Sequence, residues 1–281
     1  YCVDVLRKIS WHGIPSRYRS KAWKLLLGYT PAVTNKSDEV IGQKRAEYWS
    51  LVQRYLGEGI RRDEDIYHQV SIDVPRTCPE ELLFRQPKVR ECMVRILYCS
   101  AIRRPASGYV QGMNDLVAPF LDVFLRDYAS LEGSIQISNS EFEDLEADIF
   151  WCVGKLFDSI QNNFTFNQAG LHRQITILKE IVQRADGTPL MLLRTLLLVE
   201  LSNHLHTVGI DFTQFSFRWF NCFLLREFPL QLAQRIWDTY MAEGDQGFNE
   251  FHIYVCAALL CRLGPDLLQL DFQVLASIFS P

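Results

Sequence analysis

The sequence predicts an all-α fold, and three observations carry that expectation. Apolar residues recur at spacings of three and four in several long windows, each window supplying one buried stripe. The segment Phe215 to Phe228 is apolar nearly all round, as expected of a helix enclosed by others. No fixed repeat period runs through the chain, which argues against a regular solenoid. With 281 residues, 48% of them hydrophobic, the chain can bury the core of one large domain or of two subdomains.

Along the chain, Val70, Ile72 and Val74 alternate and Pro75 disfavours helical geometry at Val74. The stretch before Arg76 is therefore expected to be extended, either as a proline-stiffened loop presenting a long side chain or as a short edge strand. Val89, Cys92, Met93, Ile96 and Leu97 form the first clear helical stripe. Arg103-Arg104 closes it, as a solvated helix end suited to the C-terminal dipole or as a face toward an acidic partner surface. Ala129 to Glu143 is rich in Ser, Gly, Asn and acids and reads as a linker, dividing an N-terminal subdomain, 1–140, from a C-terminal one, 141–281. Ile149, Cys152, Val153, Leu156, Phe157 and Ile160 give a second stripe, and Ile175, Leu178, Ile181 and Val182 a third. Arg184-Ala185-Asp186-Gly187-Thr188-Pro189 breaks the pattern between two helices.

Composition excludes several classes. Lys plus Arg is 29 against 33 acids, a net charge of −4, so no overall basic field advertises nucleic acid or an anionic membrane. The eight cysteines never fall in C-x-x-C spacing, which suits buried thiols in a reducing compartment better than disulfides or zinc. His204-Leu205-His206 lacks the nearby Cys or acid of a metal site, so no metal is expected. No signal peptide opens the chain. Leu190 to Leu201 is the most apolar stretch, but Arg194 and Glu200 interrupt it and it is too short to span a bilayer. A chain opening at Tyr1 reads as an excised domain, so targeting or membrane-attachment segments would lie outside it.

Chemistry concentrates in two short stretches. Val70-Ser71-Ile72-Asp73-Val74-Pro75-Arg76 ends in an arginine, and Ser107-Gly108-Tyr109-Val110-Gln111-Gly112 carries a glutamine. GTP hydrolysis needs both types, an arginine to neutralise charge on the transferred phosphoryl group and a glutamine to orient water. Yet the chain has no G-x-x-x-x-G-K-[ST] loop to hold a nucleotide. Phosphoryl chemistry at these residues must therefore act on a nucleotide held by another protein. Taken singly, Arg76 is an ordinary surface cation, Gln111 an ordinary loop ligand, and Trp23 and Tyr109 packing aromatics.

Placed together, the motifs resemble the TBC domain, the family of GTPase-activating proteins for Rab GTPases. Arg19-Ser20-Lys21-Ala22-Trp23 matches RxxxW. Asp73-Val74-Pro75-Arg76 matches the end of IxxDxxR, with Val70 in place of isoleucine, and Tyr109-Val110-Gln111 matches YxQ. Phe217-Arg218-Trp219, Leu225-Arg226-Glu227-Phe228 and Arg235-Ile236-Trp237-Asp238-Thr239-Tyr240 resemble later family blocks. Pro105 to Gly112 with Asn114-Asp115-Leu116 is similar to the branch typified by a yeast Golgi Rab activator. The resemblance implies a two-lobed helical domain that is an activator and not itself a GTPase, acting on a Rab-family small GTPase in vesicle trafficking. It implies Arg76 as an arginine finger, Gln111 as a glutamine finger, Asp73 and Tyr109 as their supports, and Arg19 and Trp23 as braces behind them. GTP and Mg²⁺ would belong to the partner, with no cofactor of the chain's own. A catalytically silent Rab-binding scaffold is the alternative. Asp73 could pair with Arg76 and aim its guanidinium.

Overall fold

The computed structural model of the chain describes residues 2–32, 37–129, 135–183, 199–201, 203–210 and 212–279. Its labelled helices are α1 (Val3–Ser10), α2 (Ser16–Leu26), α3 (Ser37–Leu56), α4 (Glu64–Asp73), α5 (Leu82–Arg85), α6 (Pro87–Arg103), α7 (Met113–Leu125), α8 (Asn139–Ser159), α9 (Ala169–Gln183), α10 (Phe212–Cys222), α11 (Leu230–Glu243), α12 (His252–Leu267) and α13 (Phe272–Phe279). Residues 203–207 are also helical. No β-strand occurs among the described residues, where one isolated bridge joins Ala129 to Ile135. The all-α expectation holds.

The centre of the fold is α7. Its side chains are buried at every position from Met113 to Leu125 except Asp115, and it packs against α2, α6, α8, α10 and α11. A helix apolar on all sides and ringed by others needs no amphipathic stripe. The predicted stripes fall where their spacing requires: Val89, Cys92, Met93, Ile96 and Leu97 are buried on α6, and Ile149, Cys152, Val153, Leu156 and Phe157 on α8. Helix α8 starts inside the expected linker, because Ser138 and Glu141 form a reciprocal capping box that nucleates it there. The breaker at 184–189 lies outside the described residues.

The segment from Phe215 to Phe228 differs from expectation. Helix α10 stops at Cys222, and Phe223 and Leu224 take left-handed backbone angles, φ 47° and 63°. Both side chains are fully buried, but in different places. Phe223 joins the larger apolar cluster, with Trp23, Phe120, Phe150 and Trp237. Leu224 joins a smaller one built from α9, α10 and α12. An unbroken helix would set the two side chains about 100° apart on one cylinder, and turning the chain between them lets each fill its own core.

Buried carboxylates pin the helices to one another. Asp238 on α11 is fully buried and accepts from the Ile14 amide at 2.9 Å, from Arg19 Nε at 3.0 Å and from the Trp23 indole at 2.8 Å. On α8, Asp148 accepts from Tyr29 at 2.6 Å and Arg45 Nε at 2.8 Å, and Glu146 accepts two bonds from Arg95 at 2.7 Å and one from Tyr48 at 2.6 Å. A charge sealed from water is tolerable only when donors surround it in this way. Between the two clusters, the His252 ring bridges Tyr240 of the larger, 2.7 Å from its hydroxyl, and the carbonyl of Trp219 of the smaller at 3.1 Å. Burial lowers the His252 pKa to about 3.

Two outcomes follow from these buried groups. Replacing Asp238 with Ala strands the largely buried Arg19 without its acid, and the loss of unfolding free energy in urea titrations is expected to be roughly 3–5 kcal/mol. The unfolded chain binds a proton on His252 near the ordinary value of 6.5, whereas the folded chain refuses it until about pH 3. Stability therefore falls as pH drops through that window. The His252→Gln variant should show a shallower slope there when urea midpoints are measured at several pH values.

Candidate functional site

Asp73, the last residue of α4, leads straight into a 3₁₀ turn, Val74–Arg76. The expectation of an extended stretch is thereby corrected. Val70 and Val74 are both buried at a spacing of four, which is the helical period, and it outweighs the apparent alternation. Proline is accommodated because Pro75 lies at the start of the 3₁₀ turn, just after Val74, where a missing amide costs little. Val74 keeps helical angles, φ −55° and ψ −47°, and its amide bonds to the carbonyl of Val70. The chain then reverses at Cys78, whose φ of 42° is left-handed, a strained setting for a residue with a side chain. Burial, with Asp115 next, pushes the Cys78 thiol up to about 12, so it stays protonated.

Arg76 ends this turn exposed, and its guanidinium has no ion pair or hydrogen bond among the described residues. Asp73 does not aim it. That carboxylate is buried and turned inward, accepting from the Tyr109 hydroxyl at 3.0 Å and from Gln69 at 3.4 Å. The reason is topological: within one helical turn running into the next, Asp73 faces the core and Arg76 faces water.

Gln111 lies in the segment between α6 and α7, also exposed. Gly112 follows it at φ 101° as the N-cap of α7. Only glycine fits, since a Cβ there would lie 2.4 Å from Asn221 Nδ2. That same Nδ2 donates to the carbonyl of Gln111 at 3.2 Å, holding its backbone, while the side chain makes no hydrogen bond among the described residues.

The two segments are riveted together twice. Tyr109, two residues before Gln111, reaches Asp73; Asn114, three after, donates to Thr77 Oγ1 at 2.8 Å while accepting from the Gly112 amide at 3.1 Å. Thr77 closes the circuit by donating to the carbonyl of Asp73 at 3.2 Å. Burial, followed by the charge of Asp73, raises the Tyr109 pKa, so the phenol remains a donor. Below it, Asp115 accepts from Arg226 Nε at 2.9 Å and Cys222 Sγ at 3.5 Å, tying the start of α7 to the turn after α10. Burial raises the Asp115 pKa, an effect that Arg226 opposes.

Asp73, Arg76, Tyr109 and Gln111 therefore share one neighbourhood, whereas Arg19 and Trp23 do not touch it. They sit on α2, bonded to Asp238, and the Trp23 ring meets Phe120 of α7 edge-on with centroids 5.5 Å apart. Any bracing they provide runs through α7. Thr77, Asn114, Asn221 and Arg226 form the rest of the support, and sequence reasoning assigned none of them this role. Their partners lie 37 to 111 positions away, and no local pattern announces such pairs.

Replacing Asn114 with Ala should release both segments together. Global stability is expected to fall by about 1–3 kcal/mol, and hydrogen exchange should accelerate at the amides of both Thr77 and Gly112. Acceleration at Gly112 alone would show that the two segments are held independently.

Comparison with known proteins agrees with this architecture. The Rab-GTPase-TBC domain family matches residues 16–268. The GTPase-activating protein gyp1 of Schizosaccharomyces pombe is 42% identical over 279 residues, covering 96% of this chain and 52% of its own length. Human TBC1 domain family member 22B is 42% identical over 277 residues, again 96% of this chain and 52% of its own. The chain thus spans about half the length of these curated relatives. The crystal structure of the Ypt/Rab-GAP domain of Gyp1p superposes with a TM-score of 0.88 at 39% identity, over 99% of this chain and 85% of that one. The helical architecture that carries the two segments is therefore a known one: this chain belongs to the Rab-GTPase-TBC domain family.

Proposed function

We propose that this domain accelerates GTP hydrolysis on a Rab-family small GTPase by lending it Arg76 and Gln111. One observation carries the reading. Two exposed side chains of the types that phosphoryl transfer requires, neither bonded to another side chain among the described residues, stand on two segments cross-linked by Tyr109–Asp73 and Asn114–Thr77. A side chain that must enter another protein's active site has to be uncommitted at its tip and restrained at its base, and both conditions are met.

In this mechanism the GTPase supplies the nucleotide and Mg²⁺. Water attacks the γ-phosphorus, the bond to the β–γ bridging oxygen breaks, and GDP and phosphate leave. Arg76 neutralises charge developing on the bridging and γ-phosphoryl oxygens. Gln111 orients the water through its amide, which accepts from O–H at one end and donates at the other. The domain forms no covalent intermediate and returns unchanged, acting as an activator in trans. Asp73, Tyr109, Thr77 and Asn114 set the backbone from which the fingers project, while Arg19 and Trp23 stiffen α7 from behind. Acting on a Rab would place the domain in vesicle trafficking, with peripheral attachment to Golgi or other endomembranes as the favoured setting. Among the described residues no helix is long and apolar enough to cross a membrane. We place the boundary between the two subdomains near residue 140.

Single-turnover hydrolysis against a panel of purified Rab proteins tests this reading. Arg76→Ala is expected to lose roughly 10³- to 10⁵-fold in the accelerated rate, and Gln111→Ala to lose a large part of it, with neither losing stability because both side chains are exposed. Full activity in Arg76→Ala would overturn the finger assignment, and binding of a Rab without acceleration by the wild-type chain would favour a silent scaffold. A GDP-bound Rab with aluminium fluoride should bind the domain more tightly than the GDP form alone, since the fingers complement the reacting phosphoryl group.

A further inference from the structure

Arg103 and Arg104 close α6 side by side and then part company. Arg104 is committed: its guanidinium donates to Asp158 at 2.7 and 2.9 Å and to the carbonyl of Gly154 at 2.9 Å. Glycine at 154 makes room for it, because a Cβ there would lie 3.3 Å from Nη2. Arg103 instead turns onto the indole of Trp151, 4.9 Å from the ring centroid, and the ammonium of Lys44 lies 4.6 Å from the same centroid. Lys155, the next turn of α8, stands exposed beside them. Together with Phe150 and Asp158 these residues line a cavity of about 210 Å³ between α3, α6 and α8.

Lys44, Arg103 and Lys155 have no ion pair among the described residues, and the acid in the cavity wall, Asp158, is already taken by Arg104. Contact with an aromatic face attracts Lys44 and Arg103 but leaves their charges uncancelled. Three unneutralised cations from three helices around one recess repel one another, a cost that a multiply charged anion would reverse. Arginine's fork takes two oxygens of an oxyanion and each ammonium takes another. A phosphate offers three oxygens pointing in different directions, which suits donors arriving from three helices better than a flat carboxylate does.

We propose that this cavity binds a phosphate-bearing ligand, either a free polyphosphate or the phosphorylated headgroup of a membrane lipid. It adjoins the Gln111 segment directly. The backbone carbonyl of Arg104 accepts from the amides of Ser107 at 3.0 Å and Gly108 at 2.8 Å, so the ligand would load the base of the segment that carries Gln111.

The test uses the full chain and three variants: Arg103→Glu with Lys155→Glu, the neutral pair Arg103→Gln with Lys155→Gln, and Arg61→Glu as a control at an exposed cation on the α3–α4 connection. Inositol hexakisphosphate and inorganic pyrophosphate are titrated in solution at physiological ionic strength. Phosphatidylcholine vesicles with and without phosphatidylinositol 4-phosphate are co-sedimented in parallel. Saturable binding is expected, weakened at least roughly tenfold in both double variants and unchanged in Arg61→Glu. Binding confined to the soluble probes assigns a free phosphate, and phosphoinositide-dependent sedimentation assigns a lipid headgroup. The proposal fails if no phosphate probe binds saturably, if Arg61→Glu loses as much as the double variants, or if poly-glutamate binds where every phosphate probe does not. Circular dichroism on each variant separates loss of the site from loss of the fold.

Discussion

A helix packed on every side cannot move without displacing all its neighbours, and α7 is such a helix. Its burial is the constraint from which the site descends. Because α7 cannot slide or roll, the residues of its first turn are placed to within the tolerance of the core, and protein cores tolerate little. Asn114 and Asp115 stand there, one reaching the segment after α4 and the other the turn after α10. The apolar interior thus sets the coordinates of a polar surface feature. Trp23 reinforces the same helix from behind, and Asp238 fixes Trp23 and Arg19 in turn. Remote substitutions in this chain of contacts would reach the site by moving α7, without touching either finger.

Polar groups within the core act as clamps more than as sources of net stability. Asp238, Asp148 and Glu146 each gather several donors from helices distant in sequence. Burying a charge costs about as much as its pairing returns, so such groups serve mainly to exclude other arrangements, in which a charge would be left bare. The arrangement suits the proposed function, which depends on geometry: two side chains would have to meet a partner's phosphate at the same moment, and a core that merely condensed would leave their spacing loose.

Much of this was legible in the sequence. The stripes on α6 and α8 could be read from spacing alone, since burial of one helical face imposes its period directly on the residues. Arg76 and Gln111, the proposed fingers, were named from residue type and motif, and both are exposed. Tyr109 and Asp73 could be named as supports, but their direct bond, like that of Asn114 to Thr77, joins residues 36 or 37 positions apart, and only the folded chain brings them within reach. Two local readings failed for one reason. At Val70 to Val74 and at Phe215 to Phe228 the sequence shows which side chains are apolar but not which core they enter. Val70 and Val74 enter the same core and so demand a helix, whereas Phe223 and Leu224 enter different cores and so demand a turn.

That turn bears on how the chain can be divided. Phe223, with Trp237, Tyr240 and Phe248 beyond it, fills the apolar cluster shared by Trp23, Phe120 and the helices that lead to both fingers. A fragment ending near residue 140 would keep Arg76 and Gln111 in its covalent sequence while exposing the surface on which α7 rests. The proposed fingers are encoded early in the chain, but the packing that holds their segments is delivered late. During synthesis the site would therefore stay unformed until residues well past Arg76 and Gln111 had emerged and folded back, so a prematurely terminated chain would carry both side chains without the geometry that the proposed function requires.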